Sequence, residues 1–438
     1  MSEYKAMEDN EIYPILLNEG SDISSEGSYL VYSPLSEQFF VAEKQDIDTL
    51  EQYLKTGTGN SEIAEVANNI LSQQTTDRTI PARCNISELH KLTILPNYTC
   101  NFSCSYCYSA QGRSSKKLDI KKAEKAIDFF INTKRTKLRD LWLALLGGGE
   151  PFLSIDSVTH IIKYARSRAR SQGIKLGIGL TTNGSIYDAG LSEVIRDNNV
   201  SLGVSFEVLE DIQNLQRQSY SRVCEVVGRY LADGVDVSVK SIITRNNVAR
   251  LKEMVEHLHK IFPTVRSHKL QIVEDTETFS DLGTMKEFYN DFTRYFFEAK
   301  ELGYTYGIDV YVLASKYVDT LVEHYCGGEV CLTPEGSITV CHRISSPNEA
   351  NYEDFVYGRI DDEYDIVFDY EKFRRLMSHN IHANTKCKDC FVKWHCGGGC
   401  LAQAYTYGED RLNVICDWTR DFTKQLLLKR LAGMDNHN

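Results

Sequence analysis

The sequence lacks a long hydrophobic run, and it carries an excess of negative charge. Both features exclude classes of function. No stretch of eighteen consecutive apolar residues occurs, which excludes an ordinary transmembrane helix. The net charge of −12 over 438 residues disfavours nucleic acid as a partner, because such a surface repels phosphates. We therefore expect neither a membrane nor a nucleic acid among its partners.

The first residues also lack the basic-then-apolar pattern of a secretion signal, so we expect a cytoplasmic protein. A disulfide scaffold is not expected in that reducing compartment, and the 13 cysteines need another explanation. All but Cys84 and Cys224 fall into two groups, for which metal or cluster ligation is the natural use. Those two are expected to be ordinary small buried residues.

Three regions follow one another along the chain. Residues 1–85 combine two short strands with two helical patterns, which predicts a small α+β module. Residues 86–305 alternate strands and helices, which predicts an α/β region with a parallel sheet and right-handed crossovers. Residues 306–438 break into short strands, turns and cysteines. The six strands predicted in the middle region are 91–95, 141–146, 175–182, 200–206, 236–244 and 268–274.

Six strand–helix units are fewer than the eight of a closed barrel, so we expect an open, partial (βα)6 barrel. Functional residues should then lie at the carboxyl ends of its strands. Cys100, Cys104 and Cys107 follow the first strand with the spacing C-x3-C-x2-C, and Tyr106 precedes the last of them. An iron–sulfur cube normally takes four thiolates, so one iron would be left for another ligand. A zinc site is the alternative, although this spacing is unusual for zinc and no further His or Cys lies nearby.

This loop resembles that of the radical SAM enzymes, and later motifs agree. GGGEP (147–151) follows the second strand, TTNG (181–184) ends the third, and SFEVLEDIQNLQR (205–217) follows the fourth. Relatives often have Asp-Gly where this chain has Glu207 and Val208. The resemblance implies that the open iron binds S-adenosylmethionine (SAM), whose reductive cleavage gives a 5′-deoxyadenosyl radical that removes hydrogen from an unactivated carbon. The residues it implies in SAM binding are Tyr106, Gly148, Gly149, Glu150, Asn183, Ser205 and Arg217.

The C-terminal cysteines resemble the SPASM domain, an extension of radical SAM enzymes that carries auxiliary clusters. Cys326, Gly336 and Cys341 satisfy C-x9-G-x4-C, CKDCFVKWHCGGGC gives C-x2-C-x5-C-x3-C, and Cys416 follows. A zinc ribbon remains an alternative, since four-cysteine spacing does not distinguish iron from zinc. The resemblance implies three [4Fe–4S] clusters in all, with the auxiliary pair accepting an electron. Its ligand sets are Cys326, Cys331, Cys341 and Cys400 for the first auxiliary cluster, and Cys387, Cys390, Cys396 and Cys416 for the second.

Proteins that pair these modules resemble maturases of peptides or proteins. Residues 1–85 resemble the winged-helix-like modules that bind the leader of a precursor peptide by adding a strand. Sulfatase-maturing relatives resemble one another in an Asp after the third SPASM cysteine, where this chain has His342, which is a candidate base. We therefore expect a peptide maturase that forms a thioether or C–C cross-link. Its partners would be a precursor peptide and an external reductant such as flavodoxin or ferredoxin.

Two alternatives stay beside this expectation. The first is an anaerobic sulfatase-maturing enzyme, which generates formylglycine. The second is a ferredoxin-like electron carrier or a peptide-binding module with structural metal, which the three-cysteine loop and GGGEP contradict. The sequence does not reveal the peptide, the residue that loses hydrogen, the bond formed, a possible epimerisation, or the oligomeric state.

Overall fold

The computed structural model describes residues 6–17, 27–274 and 278–433. Its strands are β1 (Tyr13–Leu16), β2 (Tyr29–Ser33), β3 (Gln38–Ala42), β4 (Thr79–Ile80), β5 (Lys91–Ile94), β6 (Asp140–Leu145), β7 (Lys175–Thr182), β8 (Val200–Ser205), β9 (Val237–Ile243), β10 (Ser267–Ile272), β11 (Asp309–Tyr311), β12 (Leu321–Val322), β13 (Val330–Leu332), β14 (Ser337–Thr339), β15 (Val356–Ile360) and β16 (Ile366–Phe368).

The α-helices alternate with these strands through the middle of the chain and dominate its C-terminal end. They are α1 (Lys44–Thr56), α2 (Ser61–Gln73), α3 (Ile120–Phe130), α4 (Ile155–Gln172), α5 (Ala189–Asp197), α6 (Glu210–Gln216), α7 (Tyr220–Ala232), α8 (Leu251–Ile261), α9 (Leu282–Thr305), α10 (Leu313–Tyr317), α11 (Tyr352–Phe355), α12 (Tyr370–Met377), α13 (Lys393–Cys396), α14 (Leu401–Thr406) and α15 (Glu409–Leu431). No helix in the described part of the chain is long and apolar enough to cross a membrane.

The N-terminal strands form a three-stranded antiparallel sheet in the order β1-β2-β3. One face of it packs on the module's own helices, where Val31 meets Ile47 and Ile70. The other face belongs to a second cluster, in which Tyr13 and Tyr32 lie with residues from far along the chain. The two predicted strands and two predicted helices are present, β1 was not predicted, and the leader-recognition role stays a prediction.

The central sheet confirms the predicted partial α/β barrel. All six predicted strands are present as β5 to β10, each within two residues of its predicted bounds, and they pair in parallel in chain order. Apolar side chains alternate along each strand, and one set packs under the crossover helices. Asp119 accepts a hydrogen bond from the backbone N of Lys121 and so caps α3, as its position before that helix predicts.

The sheet continues beyond the predicted boundary at residue 305. On one side β11 pairs in parallel with β10, and on the other β13 pairs in parallel with β5. Strands β14, β15 and β16 then follow β13 in antiparallel order, which gives an 11-stranded sheet. The two ends of this sheet are not joined, so the barrel stays open. Strand β13 lies beside β5, and Cys326 and Cys341, which flank the β13–β14 hairpin, line the same cavity as the first cysteine group.

Trp142 occupies the interior face of the sheet near the amino end of β6. Its indole lies over two glycines of β7, where a Cβ on Gly177 would stand 2.3 Å from the ring and one on Gly179 would stand 2.8 Å from it. The glycines therefore make room for the ring, which stays 38% exposed.

We expect Gly177→Ala to lower the free energy of unfolding by about 2 kcal/mol, because the added methyl overpacks against Trp142. Urea denaturation measures this change. In Gly177→Ala/Trp142→Leu the loss should be smaller than the sum of the single changes, since the two groups are in contact.

The matched control is Gly228→Ala on α7, where a Cβ meets nothing within 4 Å. That variant should be as stable as the wild type or more so. Equal losses in Gly177→Ala and Gly228→Ala would contradict the role given to Trp142.

Candidate functional site

The first cysteine group lies on the loop between β5 and α3. Cys100, Cys104 and Cys107 line one cavity of about 770 Å³. Burial raises the pKa of Cys104, the guanidinium of Arg217 lowers it, and the neighbouring thiols raise it again. Thiols that share a partly buried site are held as thiolates only beside a metal or another strong positive charge. The donor set therefore fits an iron–sulfur cluster with one iron left open.

Two arginines supply N–H groups beside these thiols. The Nη2 of Arg113 donates to the Sγ of Cys107 at 3.4 Å. The Nε atoms of Arg113 and Arg217 are buried and have no hydrogen-bond partner within the described residues. Buried donors of this kind need an acceptor, so they too fit an anionic group bound in the cavity.

The glycine motif after β6 packs on the cysteine loop by backbone contact. The N–H of Gly149 donates to the carbonyl of Asn97 at 3.0 Å, and that of Glu150 donates to the carbonyl of Thr99 at 2.7 Å. A Cβ on Gly149 would lie 2.0 Å from the Thr99 oxygen. Gly148 has φ +62, which favours glycine. The glycines are therefore required by the approach of one loop to the other, whatever they contact in SAM.

Glu150 is buried and its carboxylate is bound by the protein itself. It accepts hydrogen bonds from the N–H of Phe152 at 3.0 Å, the hydroxyl of Thr182 at 2.7 Å and the N–H of Asn183 at 2.7 Å. Asn183 in turn donates to the side chain of Asn101 at 2.9 Å. The predicted site residues Glu150 and Asn183 thus join the carboxyl ends of β6 and β7 to the cysteine loop.

Tyr106, Glu207 and Arg217 form a buried chain of contacts. Arg217 Nη1 donates to the Tyr106 hydroxyl at 2.9 Å, and that hydroxyl donates to Glu207. The N–H of Ile242 donates to the other carboxylate oxygen of Glu207 at 2.9 Å. Burial raises the pKa of Glu207 to about 7, against the opposing charge of Arg217. Ser205, predicted from the same segment, lines the cavity.

Sequence reasoning did not name Glu207 as a site residue. The available signal was its place in the segment where relatives have Asp. The structure shows that its carboxylate holds Tyr106 and lies 3.9 Å from Arg217. It therefore orients two of the residues predicted to bind SAM.

Three of the four cysteines predicted for the first auxiliary cluster line the same cavity. They are Cys326, Cys341 and Cys400. Burial raises the pKa of Cys341, and the charges of Glu329, Cys326 and Cys400 raise it further. Cys331 is fully buried in a small apolar cluster with Leu95 and is not among the residues that line the cavity. The structure thus brings Cys326, Cys341 and Cys400 together and places Cys331 outside their cavity.

The second predicted auxiliary set, Cys387, Cys390, Cys396 and Cys416, is brought together as a group. Burial, followed by the charges of Cys390 and Cys416, raises the pKa of Cys387 to about 11. Burial and the charges of the other three thiols also raise the pKa of Cys396. Arg420 Nη1 lies 4.0 Å from the Sγ of Cys390. Four adjacent thiols with a nearby guanidinium form a donor set that fits a fully ligated cluster.

The segment between Cys390 and Cys396 packs on the N-terminal module. Lys393 and Trp394 both donate to the carboxylate of Glu11, at 2.5 Å and 2.9 Å. The ring of His395 stacks on Tyr32 and is hydrogen-bonded to its hydroxyl. The first described residues of the chain therefore contact the loop that carries the last cysteine group.

His342, the candidate base, lines the cavity beside Cys341 and is held by Glu329. Its Nδ1 lies 2.7 Å from Glu329 Oε1, and Lys91 lies 2.6 Å from the other carboxylate oxygen. Burial lowers the pKa of His342. Burial raises the pKa of Glu329, but His342 and Lys91 hold it below its usual value. A neutral ring beside an ionised carboxylate donates through Nδ1, which leaves Nε2 as an acceptor.

We expect Gly149→Ala to lose the iron of the first site, about four atoms per chain, because the methyl displaces the backbone at Thr99. Iron analysis after anaerobic reconstitution measures this, and the electron paramagnetic resonance signals of the C-terminal cysteine groups should persist. Gly228→Ala serves as control. Full iron content in Gly149→Ala would show that the two loops do not need this close contact.

The high pKa of Glu207 predicts a pH-dependent stability. An unfolded Glu releases its proton near 4.5, whereas the folded carboxyl keeps it up to about 7. Wild-type stability should therefore fall as pH rises through this window, by about 3 kcal/mol at most. Glu207→Gln lacks this contribution, so it should gain on the wild type between pH 5 and pH 7.5 in urea unfolding.

Glu225→Gln on the exposed face of α7 is the control for this measurement and should follow the wild-type profile. Parallel profiles for wild type and Glu207→Gln would show that Glu207 is ionised throughout the window.

Comparison with known proteins agrees with this geometry. Residues 94–282 match the Radical SAM superfamily. The "Uncharacterized protein MJ0907" of Methanocaldococcus jannaschii is 26% identical over 165 residues, which span 36% of this chain and 54% of that protein. The cysteine-type anaerobic sulfatase-maturating enzyme of Clostridium perfringens (strain 13 / Type A) is 21% identical over 77% of this chain and 96% of its own length. The radical SAM cyclopropyl synthase TigE of Paramaledivibacter caminithermalis is 23% identical over 90% of this chain and 83% of its own length.

Solved structures share the fold. Native anSMEcpe with bound AdoMet superposes with a TM-score of 0.62 at 17% identity and covers 79% of this chain and 99% of its own. Streptococcus suis SuiB bound to S-adenosylmethionine has a TM-score of 0.50 at 13% identity and covers 92% of this chain and 97% of its own. Residues 94–282 are therefore a radical SAM domain, and the named relatives that align with most of this chain are enzymes.

Proposed function

We propose that the protein is a peptide maturase that forms an intrapeptide cross-link, a thioether or a C–C bond, in a ribosomally made precursor. The observation that carries this is the N-terminal module, which is built into the same body as the cysteine-rich region. Two relatives that extend over most of this chain support it. TigE aligns with 90% of the chain and SuiB covers 92%, whereas anSMEcpe covers 79%.

The N-terminal sheet suits a peptide that adds a strand. Both of its faces are packed, one on α1 and α2 and the other on the loop around Phe391. Within the described part of the chain, the outer edges of β1 and β3 have no further strand. A leader peptide would therefore pair with an edge by main-chain hydrogen bonds. SuiB has been solved bound to its precursor peptide SuiA.

The cavity gives each cofactor a set of residues. Cys100, Cys104 and Cys107 would hold the radical SAM cluster, and Arg217 and Ser205 would bind SAM. The two C-terminal groups would hold the auxiliary clusters, with the fourth ligand of the first set still to be assigned between Cys331 and another donor. When bound, these groups supply the 5′-deoxyadenosyl radical and acceptors for an electron. An external reductant such as flavodoxin or ferredoxin would supply the first electron.

The chain's own residues orient the substrate and move a proton. A cross-link removes two hydrogens from the peptide, one as an atom and the other as a proton with an electron left behind. His342 is placed to accept the proton, because Glu329 fixes its Nδ1 and leaves Nε2 free to accept. The buried chain from Glu207 through Tyr106 to Arg217 keeps the SAM-binding side chains in one arrangement.

A second candidate is the sulfatase-maturing reaction. Serine-type and cysteine-type enzymes with that name align with 72% and 77% of this chain. That reaction oxidises a peptidyl serine or cysteine to an aldehyde and also needs a base. His342 stands where the resemblance expects an Asp, which favours the cross-linking reaction over this one.

The test uses reconstituted enzyme with SAM, dithionite and a short peptide encoded beside its gene, under anaerobic conditions. We expect 5′-deoxyadenosine and a peptide lighter by two hydrogens that does not react with a hydrazide. A hydrazide-reactive product would identify formylglycine and the sulfatase-type reaction. Deoxyadenosine with an unchanged peptide mass would contradict both reactions and point to epimerisation.

Two variants separate the cluster roles in this assay. Cys100→Ala should abolish SAM cleavage, whereas Cys390→Ala should abolish the product and retain some cleavage. Cys84→Ala, at an exposed cysteine outside every group, is the matched control and should behave as the wild type. Full product from Cys390→Ala would overturn the role of the second cysteine group.

A further inference from the structure

Two lysines stand side by side on the interior face of the barrel. Lys240 of β9 and Lys269 of β10 are direct partners in the parallel register. Both side chains line the cavity that contains the cysteine loop. Like charges on neighbouring strands repel, so this pairing costs stability. Burial, and next the charge of Lys269, lowers the pKa of Lys240 to about 8.

The other cationic side chains around this cavity each contact an acceptor of the protein. Lys91 lies 2.6 Å from Glu329, Arg343 is ion-paired with Glu274, and Arg113 reaches the sulfur of Cys107. Arg217 lies 3.9 Å from Glu207. In contrast, neither of the two lysines has a salt bridge or a hydrogen-bond partner within residues 6–17, 27–274 and 278–433, although the charge of Glu274, which is ion-paired with Arg343, raises the pKa of both.

This excess of positive charge is local. The whole chain carries a net charge of −12, so two unpaired ammonium groups inside a cavity are not a property of the general surface. A buried charge is retained at a cost when a ligand compensates it. A carboxylate is the group that two adjacent ammonium groups complement.

We propose that Lys240 and Lys269 bind a carboxylate of the peptide substrate beside the residue that loses hydrogen. The inference rests on the proposed peptide function and deepens it, because it gives the substrate an acidic group. Tyr311 and Gln271 line the same part of the cavity and supply further polar contacts for a peptide.

The carboxylate of SAM is the competing occupant. Lys240 is the register partner of Ser205, which is a predicted SAM residue. Lys269 lies one strand further from Ser205, on the side toward β11. Arg217 offers a guanidinium fork whose geometry already matches the single carboxylate of SAM. The lysine pair is therefore assigned to the substrate, and the experiment separates the two occupants.

The experiment selects peptides on the reconstituted, immobilised enzyme with SAM present. The probes are N-acetylated pentapeptide amides that carry Asp or Glu at the central position, the same peptides with Asn or Gln there, and Asn or Gln peptides with a free C-terminal carboxylate. We expect the wild type to retain acidic peptides roughly tenfold better than amide peptides. Retention of the third set alone would assign the C-terminal carboxylate as the anionic group.

Variants connect this preference to the pair. Lys269→Met and Lys240→Met should lose the preference for acidic peptides, and Lys269→Arg should keep it. Lys269→Glu should instead retain peptides with a central Lys better than acidic ones. Lys163→Met, on the exposed side of α4, is the control and should match the wild type. Circular dichroism and the iron content of Lys269→Met, compared with those of Lys163→Met, measure whether the variant is folded and loaded.

Two results would overturn the inference while the peptide function stands. One is equal retention of acidic and amide peptides by the wild type. The other is a result in which both Met variants lose SAM binding and peptide-free SAM cleavage but keep the preference for acidic peptides. That result would show that the lysine pair binds the carboxylate of SAM.

Retention of no peptide at all would contradict the proposed function instead. In that case, anion binding by the lysine pair is measured by acetylation of the two amines with acetic anhydride, followed by mass spectrometry. Protection of both lysines by glutarate but not by glutaramide would support an anion site. Equal labelling with both probes would overturn it.

Discussion

The structure depends on the backbone contact between the cysteine loop and the glycine loop. Two hydrogen bonds, from Gly149 to Asn97 and from Glu150 to Thr99, fix the end of β6 against the segment that leads into the first cysteine. Because a Cβ on Gly149 would reach the Thr99 oxygen, only glycine permits this distance. Glu150 then passes the constraint to β7 through Thr182 and Asn183. The ends of three neighbouring strands are thereby held in one arrangement around the thiols.

The pairing of β13 with β5 connects the two cysteine-rich halves of the chain. Val330 stands opposite Leu92 in the parallel register, so the segment that follows it returns to the edge where Cys100 lies. Strand β14 runs antiparallel to β13, so Cys341 and His342 follow it at the opposite end of the hairpin, and they line the same cavity. Glu329, at the start of this pairing, carries the ion pair with Lys91. Main-chain hydrogen bonds of a central sheet thus bring late residues to the first site, where a flexible linker would leave their distance undefined.

Sequence reasoning predicted the central strands well, because each is an apolar run of six or so residues beside a helical pattern. It did not predict that β11 and β13 extend the sheet. Each has three residues, and so short a strand carries no measurable periodicity. The cysteine groups were predicted from spacing, whereas the family resemblance placed Cys331 among the ligands. Its orientation follows instead from alternation along β13, which turns it away from Val330 and Leu332. Glu207 and the lysine pair depend on three-dimensional neighbours that a linear pattern does not contain.

The second face of the N-terminal sheet shows that the N-terminal module is not a separate folding unit. One apolar cluster contains Tyr13, Ile15 and Leu30 together with Phe391 and Leu427. The N-terminal module and the C-terminal region therefore share this core. The predicted domain boundary at residue 85 lies in the connection between β4 and β5, but it divides this common core. Removal of the module would leave Phe391 and Val392 exposed beside Cys390 and Cys396. The N-terminal module is therefore not an interchangeable attachment. Exchange of this module between relatives would have to include the matching loop and the end of α15.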